Sequence, residues 1–106
     1  LVWNYDGAPH RLGDNEICFN VLENNGKANR YGEIHIGTAG TPIERLRVYN
    51  NTILTSRQPT GQQHCVWVEG KPTNGELRFW NNLFITQGNV APVLIAPPPV
   101  SYTHLT

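Results

Sequence analysis

The sequence predicts an all-β chain whose short strands wind as a coil and pair in parallel between successive turns. Three observations predict it. Ile17-Cys18-Phe19-Asn20-Val21-Leu22 aligns without gaps on Val48-Tyr49-Asn50-Asn51-Thr52-Ile53, and that on Phe79-Trp80-Asn81-Asn82-Leu83-Phe84, each step being 31 residues. A second element, Gly32-Glu33-Ile34-His35-Ile36-Gly37, returns one residue later than that period as His64-Cys65-Val66-Trp67-Val68-Glu69. Both copies alternate apolar with polar or bulky residues, the period of a strand. No segment sets apolar residues at i, i+3, i+4 and i+7, and Gly and Asn punctuate every gap, so helix is not expected.

Each element then has a place in the coil. Leu1 to Tyr5 opens inside a patterned segment, and the two repeated elements supply two or three short strands per turn. Equivalent residues of successive turns should lie about 4.8 Å apart, so like stacks on like. Leu46 over Leu77, and Ile17 over Val48 over Phe79, are expected to fill the interior. Arg47 over Arg78, and Cys18 over Tyr49 over Trp80, are expected to face out. Asn20, Asn51 and Asn82 form the third column, a structural Asn ladder. Asn tolerates the left-handed backbone of a sharp bend, and its amide can donate and accept between turns. A stack of hairpins would repeat Asn-Gly or Asp-Gly instead.

Composition bounds the function. The chain has 106 residues, 39% hydrophobic and 15% charged, and eight basic residues balance eight acidic ones. Zero net charge supplies no field for holding a nucleic-acid backbone, so no nucleic-acid partner is expected. No stretch has the apolar length of a membrane-spanning helix, so no membrane partner is expected. The two cysteines, Cys18 and Cys65, lie outside any zinc-ligand spacing and are expected as unlinked thiols on or near the surface. No metal or cofactor site is identified. Residues 1–95 form the repeat domain, a partial one. Residues 96–106 are a Pro-rich end and a tail, 100–106, that looks like translated sequencing-adaptor sequence; a natural strand is the other reading.

The runs Val48-Tyr49-Asn50-Asn51-Thr52-Ile53 and Phe79-Trp80-Asn81-Asn82-Leu83-Phe84 resemble the repeats of the pectate-lyase-like right-handed parallel β-helix superfamily. So does the variant from Cys18 to Gly26 followed by Gly32-Glu33-Ile34-His35-Ile36, and the resemblance covers roughly residues 1–95. It implies a right-handed single-stranded parallel β-helix of about three turns, an uncapped solenoid. It also implies a fragment of a secreted or cell-surface, bacterial, carbohydrate-directed protein that binds or processes polysaccharide, polysaccharide lyases and glycoside hydrolases being among the superfamily's full-length members. Calcium serves some full-length relatives. The fragment alone is expected to be inactive.

The residues themselves supply candidates. Lyase chemistry needs a base, a charge sink and a groove on one face, and Arg47 and Arg78 share an outward ladder. Hydrolysis needs two carboxylates across the scissile bond, and none of the acidic residues forms a diagnostic pair. Glu33, Glu69, His35 and Trp67 are the one group in which carboxylate, imidazole and aromatic ring converge on adjacent turns. Sugar binding asks for flat apolar rings beside polar groups. Tyr49 with Trp80, and His35 with Trp67, supply them, so polysaccharide is the expected partner. The alternative is a structural or adhesive coil, a surface stalk or tailspike-like shaft, whose ladders only build length. Uncapped ends are expected to self-associate.

Overall fold

The computed structural model describes residues 2–4, 13–25, 32–38, 43–58, 63–70 and 73–96. The Pro-rich run and the tail, residues 97–106, lie outside them, as do Leu1 and Tyr5. Among the described residues every regular element is a strand. In chain order these are β1 Val2–Asn4, β2 Asp14–Cys18, β3 Val21–Glu23, β4 Gly32–Thr38, β5 Arg45–Tyr49, β6 Thr52–Ser56, β7 His64–Glu69, β8 Leu77–Trp80, β9 Leu83–Gln87 and β10 Val93–Ala96. No helix among them is long and apolar enough to cross a membrane.

The strands assemble into three sheets, which we label A (β1-β4-β7-β10), B (β2-β5-β8) and C (β3-β6-β9). Every pairing is parallel. The chain visits A, B and C in strict rotation, so each strand from β4 on pairs with the strand three places before it in the chain. The ladder register is the sequence repeat itself: Ile17 faces Val48, which faces Phe79; Leu46 faces Leu77; and Cys18 faces Tyr49, which faces Trp80. Gly32 faces His64 and His35 faces Trp67.

Alternation then sorts the side chains. In β5, Leu46 and Val48 are fully buried while Arg45 is exposed. Ile53 of β6 and Ile34, Ile36, Val66 and Val68 of sheet A meet them in one core, with Ile17, Leu22, Leu77, Phe79 and Phe84 packed around it. Cys65, expected near the surface, is instead part of this core with no exposed area. Both cysteines are free, and burial pushes the Cys65 thiol above its ordinary pKa. Gly32 is required by close approach: a Cβ there would lie 2.7 Å from the Trp67 backbone N and 2.9 Å from the Ile34 O.

The corners between sheets B and C correct one expectation. The left-handed residues are Phe19 (φ 57°), Asn50 (φ 54°) and Asn81 (φ 56°), one place before the Asn ladder. Asn20, Asn51 and Asn82 supply hydrogen bonds instead of the bend. The Asn20 Nδ2 donates to Asn51 Oδ1 at 3.1 Å, and the Asn51 Nδ2 to Asn82 Oδ1 at 3.0 Å. Their backbone N–H groups donate to the same oxygens, both at 3.1 Å. Asn51 is 1% exposed, and its amide also donates to the Ile17 carbonyl at 3.0 Å, so both donors and the acceptor of a buried amide are satisfied.

At the β8–β9–β10 end the core opens into a hollow of about 420 Å³ lined by Leu77, Phe79, Phe84, Val93 and Ile95 with Val66 and Val68. Leu83 does not line it. Outward alternation in β9 leaves Leu83 56% exposed on sheet C, in line with Thr52.

Candidate functional site

The outer face of sheet B is a small grid set by the 31-residue register. Alternation sends Asp14, Glu16 and Cys18 of β2 outward, and Arg45, Arg47 and Tyr49 of β5 lie opposite them. Arg78 and Trp80 of β8 continue the two last columns. Glu76, just before β8, reaches the same face, its Oε1 lying 3.3 Å from the Arg47 Nε.

Charge on this face is paired. Arg45 makes two hydrogen bonds to Asp14, one of them Nη2 to Oδ2 at 2.9 Å, and holds that carboxyl below its usual pKa. Arg47 lies between two carboxylates, with its Nη1 3.7 Å from Glu16 Oε1 on the side opposite Glu76 in the ladder. Tyr49 donates its hydroxyl to Glu16 Oε2 at 3.0 Å. Cys18 and Glu16 together hold the Tyr49 phenol protonated, pushing its pKa up to about 12.

Aromatic rings close one side of the grid. Tyr49 and Trp80 stack with centroids 4.4 Å apart and planes at 7°, so each covers one face of the other. The Arg78 guanidinium lies over the Trp80 ring at 4.9 Å. Phe19, at the corner above, stands edge-on to Tyr49, with centroids 5.9 Å apart and planes at 78°. Its residue is 74% exposed.

Tyr49, Trp80, Arg47 and Arg78 therefore share one face, and His35 and Trp67 sit on another, that of sheet A. There the two rings stack at 5.1 Å and 10°, and His64 meets Trp67 edge-on at 5.9 Å. The His35 Nε2 lies 3.3 Å from Glu69 Oε2, and the His64 Nδ1 is 2.7 Å from the Ala91 carbonyl. His35 was expected on an exposed ladder but is 5% exposed. Glu33 departs from this group. It is buried, with Thr55 donating to one carboxylate oxygen and the Asn25 amide and backbone N–H to the other, both at 3.3 Å.

Asp14, Glu16, Arg45, Glu76 and Phe19 escaped the sequence reading. The signal for four of them was the same period carried back from Ile17: position 14 leads to 45 and 76, and 16 leads to 47 and 78. The repeat thus does place an outward pair of carboxylates, Glu16 and Glu76, beside Arg47. These carboxylates are engaged by guanidinium groups, which suits holding a polar ligand better than exchanging protons with one. Among the described residues no three His, Cys, Asp or Glu side chains group as metal ligands. Comparison with family models, curated proteins and solved structures finds no match to the chain.

Proposed function

We propose that this chain is a stretch of a right-handed parallel β-helix from a secreted or cell-surface, carbohydrate-directed protein, and that the outer face of sheet B holds polysaccharide. The rotation of the chain through three parallel sheets supports the coil. The observation that carries the binding role is the line of rings Phe19, Tyr49 and Trp80 beside a grid of hydrogen-bonding carboxylates and guanidiniums. Sugars present apolar C–H faces and hydroxyl edges, and this face offers a partner for each. Lyase or hydrolase chemistry belongs, in this reading, to the complete protein, and the fragment alone binds without turning over.

Intrinsic tryptophan fluorescence, titrated with neutral and acidic plant or algal polysaccharides, tests the reading. A saturable change that Trp80→Ala removes supports it. No change with any polysaccharide, with the fold intact by circular dichroism, refutes it.

A second reading has its own observation. Tyr49 and Trp80 cover each other's faces, and Arg45 and Arg47 are matched within the ladder, as in a shaft whose side chains serve only to stack its turns. Failure of binding in the titration above would favour that shaft.

A further inference from the structure

We infer that Phe19 is the stacking platform for an uncharged sugar unit, and that the chain accepts a strained corner to present it; the inference rests on the polysaccharide-binding reading above. Positions 19, 50 and 81 occupy the same phase of the repeat and share one left-handed backbone conformation, with φ of 57°, 54° and 56°. Two of the three are Asn, the non-glycine residue best suited to that region. The third is Phe, whose bulk makes it a poor occupant. Local rules broken at one copy of a repeat and kept at the others point to a task for the odd side chain.

Packing does not supply that task. Phe19 is 74% exposed, and among the described residues its ring contact is the edge-on one to Tyr49. Tyr49 and Trp80, by contrast, each have a face covered by the other, and Trp80 also carries the Arg78 guanidinium. Of the three rings in the line, Phe19 is the one standing out from the stack toward solvent. Val21, 81% exposed, lies two residues on, at the start of β3. A sugar ring laid on Phe19 would meet Tyr49 and Glu16 with its hydroxyl edge.

The charge of the face selects the class of sugar. Asp14, Glu16 and Glu76 balance Arg45, Arg47 and Arg78, and the carboxylates are joined to Arg45 and Arg47 by the contacts described. A uronate or sulfated unit finds no net positive field there, and it would be repelled by Glu16, the carboxylate bonded to Tyr49. A neutral polysaccharide incurs neither penalty.

The test uses the whole chain and three variants, Phe19→Asn, Phe19→Gly and Phe19→Tyr, against a neutral and an acidic polysaccharide at low and high salt. Phe19→Asn should raise the unfolding midpoint by about 5 °C, since it relieves the corner. It should weaken binding of the neutral polysaccharide roughly five- to tenfold, as should Phe19→Gly, the loss expected for one stacking contact. Phe19→Tyr keeps the ring and should bind as the parent does, with affinity insensitive to salt. Undiminished binding by Phe19→Asn and Phe19→Gly would overturn the inference while leaving the binding reading in place. So would binding of the acidic polysaccharide alone, weakened by salt. If Phe19→Asn instead abolished self-association and the parent bound no polysaccharide, Phe19 would be a protein contact and both proposals would fall.

Discussion

Replacing Asn51 by Ala removes the central rung of the ladder, and the structure fixes how large the effect should be. Four hydrogen bonds end on that amide: its Nδ2 donates to Ile17 O and Asn82 Oδ1, and its Oδ1 accepts from the backbone N and the Nδ2 of Asn20. A net hydrogen bond contributes about 1 kcal/mol, and more where loss strands a buried partner, so Asn51→Ala should cost about 4 kcal/mol. Asn20→Ala is the internal control. It loses two bonds, to Cys18 O and Asn51 Oδ1, at an exposed corner where water can replace them, and should cost about 1 kcal/mol. A domain's whole stability is about 5–15 kcal/mol, so Asn51→Ala should remove roughly a quarter to four-fifths of it. Equilibrium urea unfolding of the parent and both variants, compared at constant slope, measures the difference. If the two variants fell within about 1 kcal/mol of each other, the buried ladder would not be the stabilising element argued here.

Three further outcomes are expected. Gly32→Ala should destabilise by about 1–3 kcal/mol in urea unfolding because the new Cβ meets the Trp67 backbone, whereas Gly13→Ala, with nothing within 4 Å, should not; equal effects would refute the close approach. Tyr49, with its pKa at about 12 in the fold, favours the protonated phenol, so its contribution is complete below the ordinary value near 10 and is lost as pH rises from there through about 12. Tyr49→Phe should therefore be less stable than the parent near neutral pH, with the difference closing as pH rises through about 12, and tyrosinate absorbance should show one late-titrating phenol in the parent. The hollow at the β8–β9–β10 end should drive association between copies, read as a mass that rises with concentration in sedimentation. Ile95→Lys, at a residue 69% exposed on the edge strand, should suppress it, and a concentration-independent parent monomer would refute the role assigned to that surface.

The sequence by itself determined the ladder. A gapless 31-residue period permits one register, and Ile17, Val48 and Phe79 pair as that register requires, with Leu46 and Val48 buried by the alternation of a strand. The Asn column was legible for the same reason, since stacking places equal residues at equal phase. Its role was not: whether Asn50 or Asn51 takes the left-handed bend depends on one residue of phase at the corner, which side-chain type alone leaves open because both are Asn. Tertiary structure also decided which candidates meet. Tyr49, Trp80, Arg47 and Arg78 belong to sheet B while His35 and Trp67 belong to sheet A, and the turn of the chain between sheets separates groups that read alike along the sequence. Burial was decided there too. Cys65 and Glu33 open strands at a corner where the side chains meet β6, so Cys65 packs against Ile53 and Glu33 accepts from Thr55, although simple alternation would have left Glu33 on the surface. Phe19 needed both: the period identifies it as the odd copy of a bend, and only the fold shows that its ring stands exposed beside Tyr49.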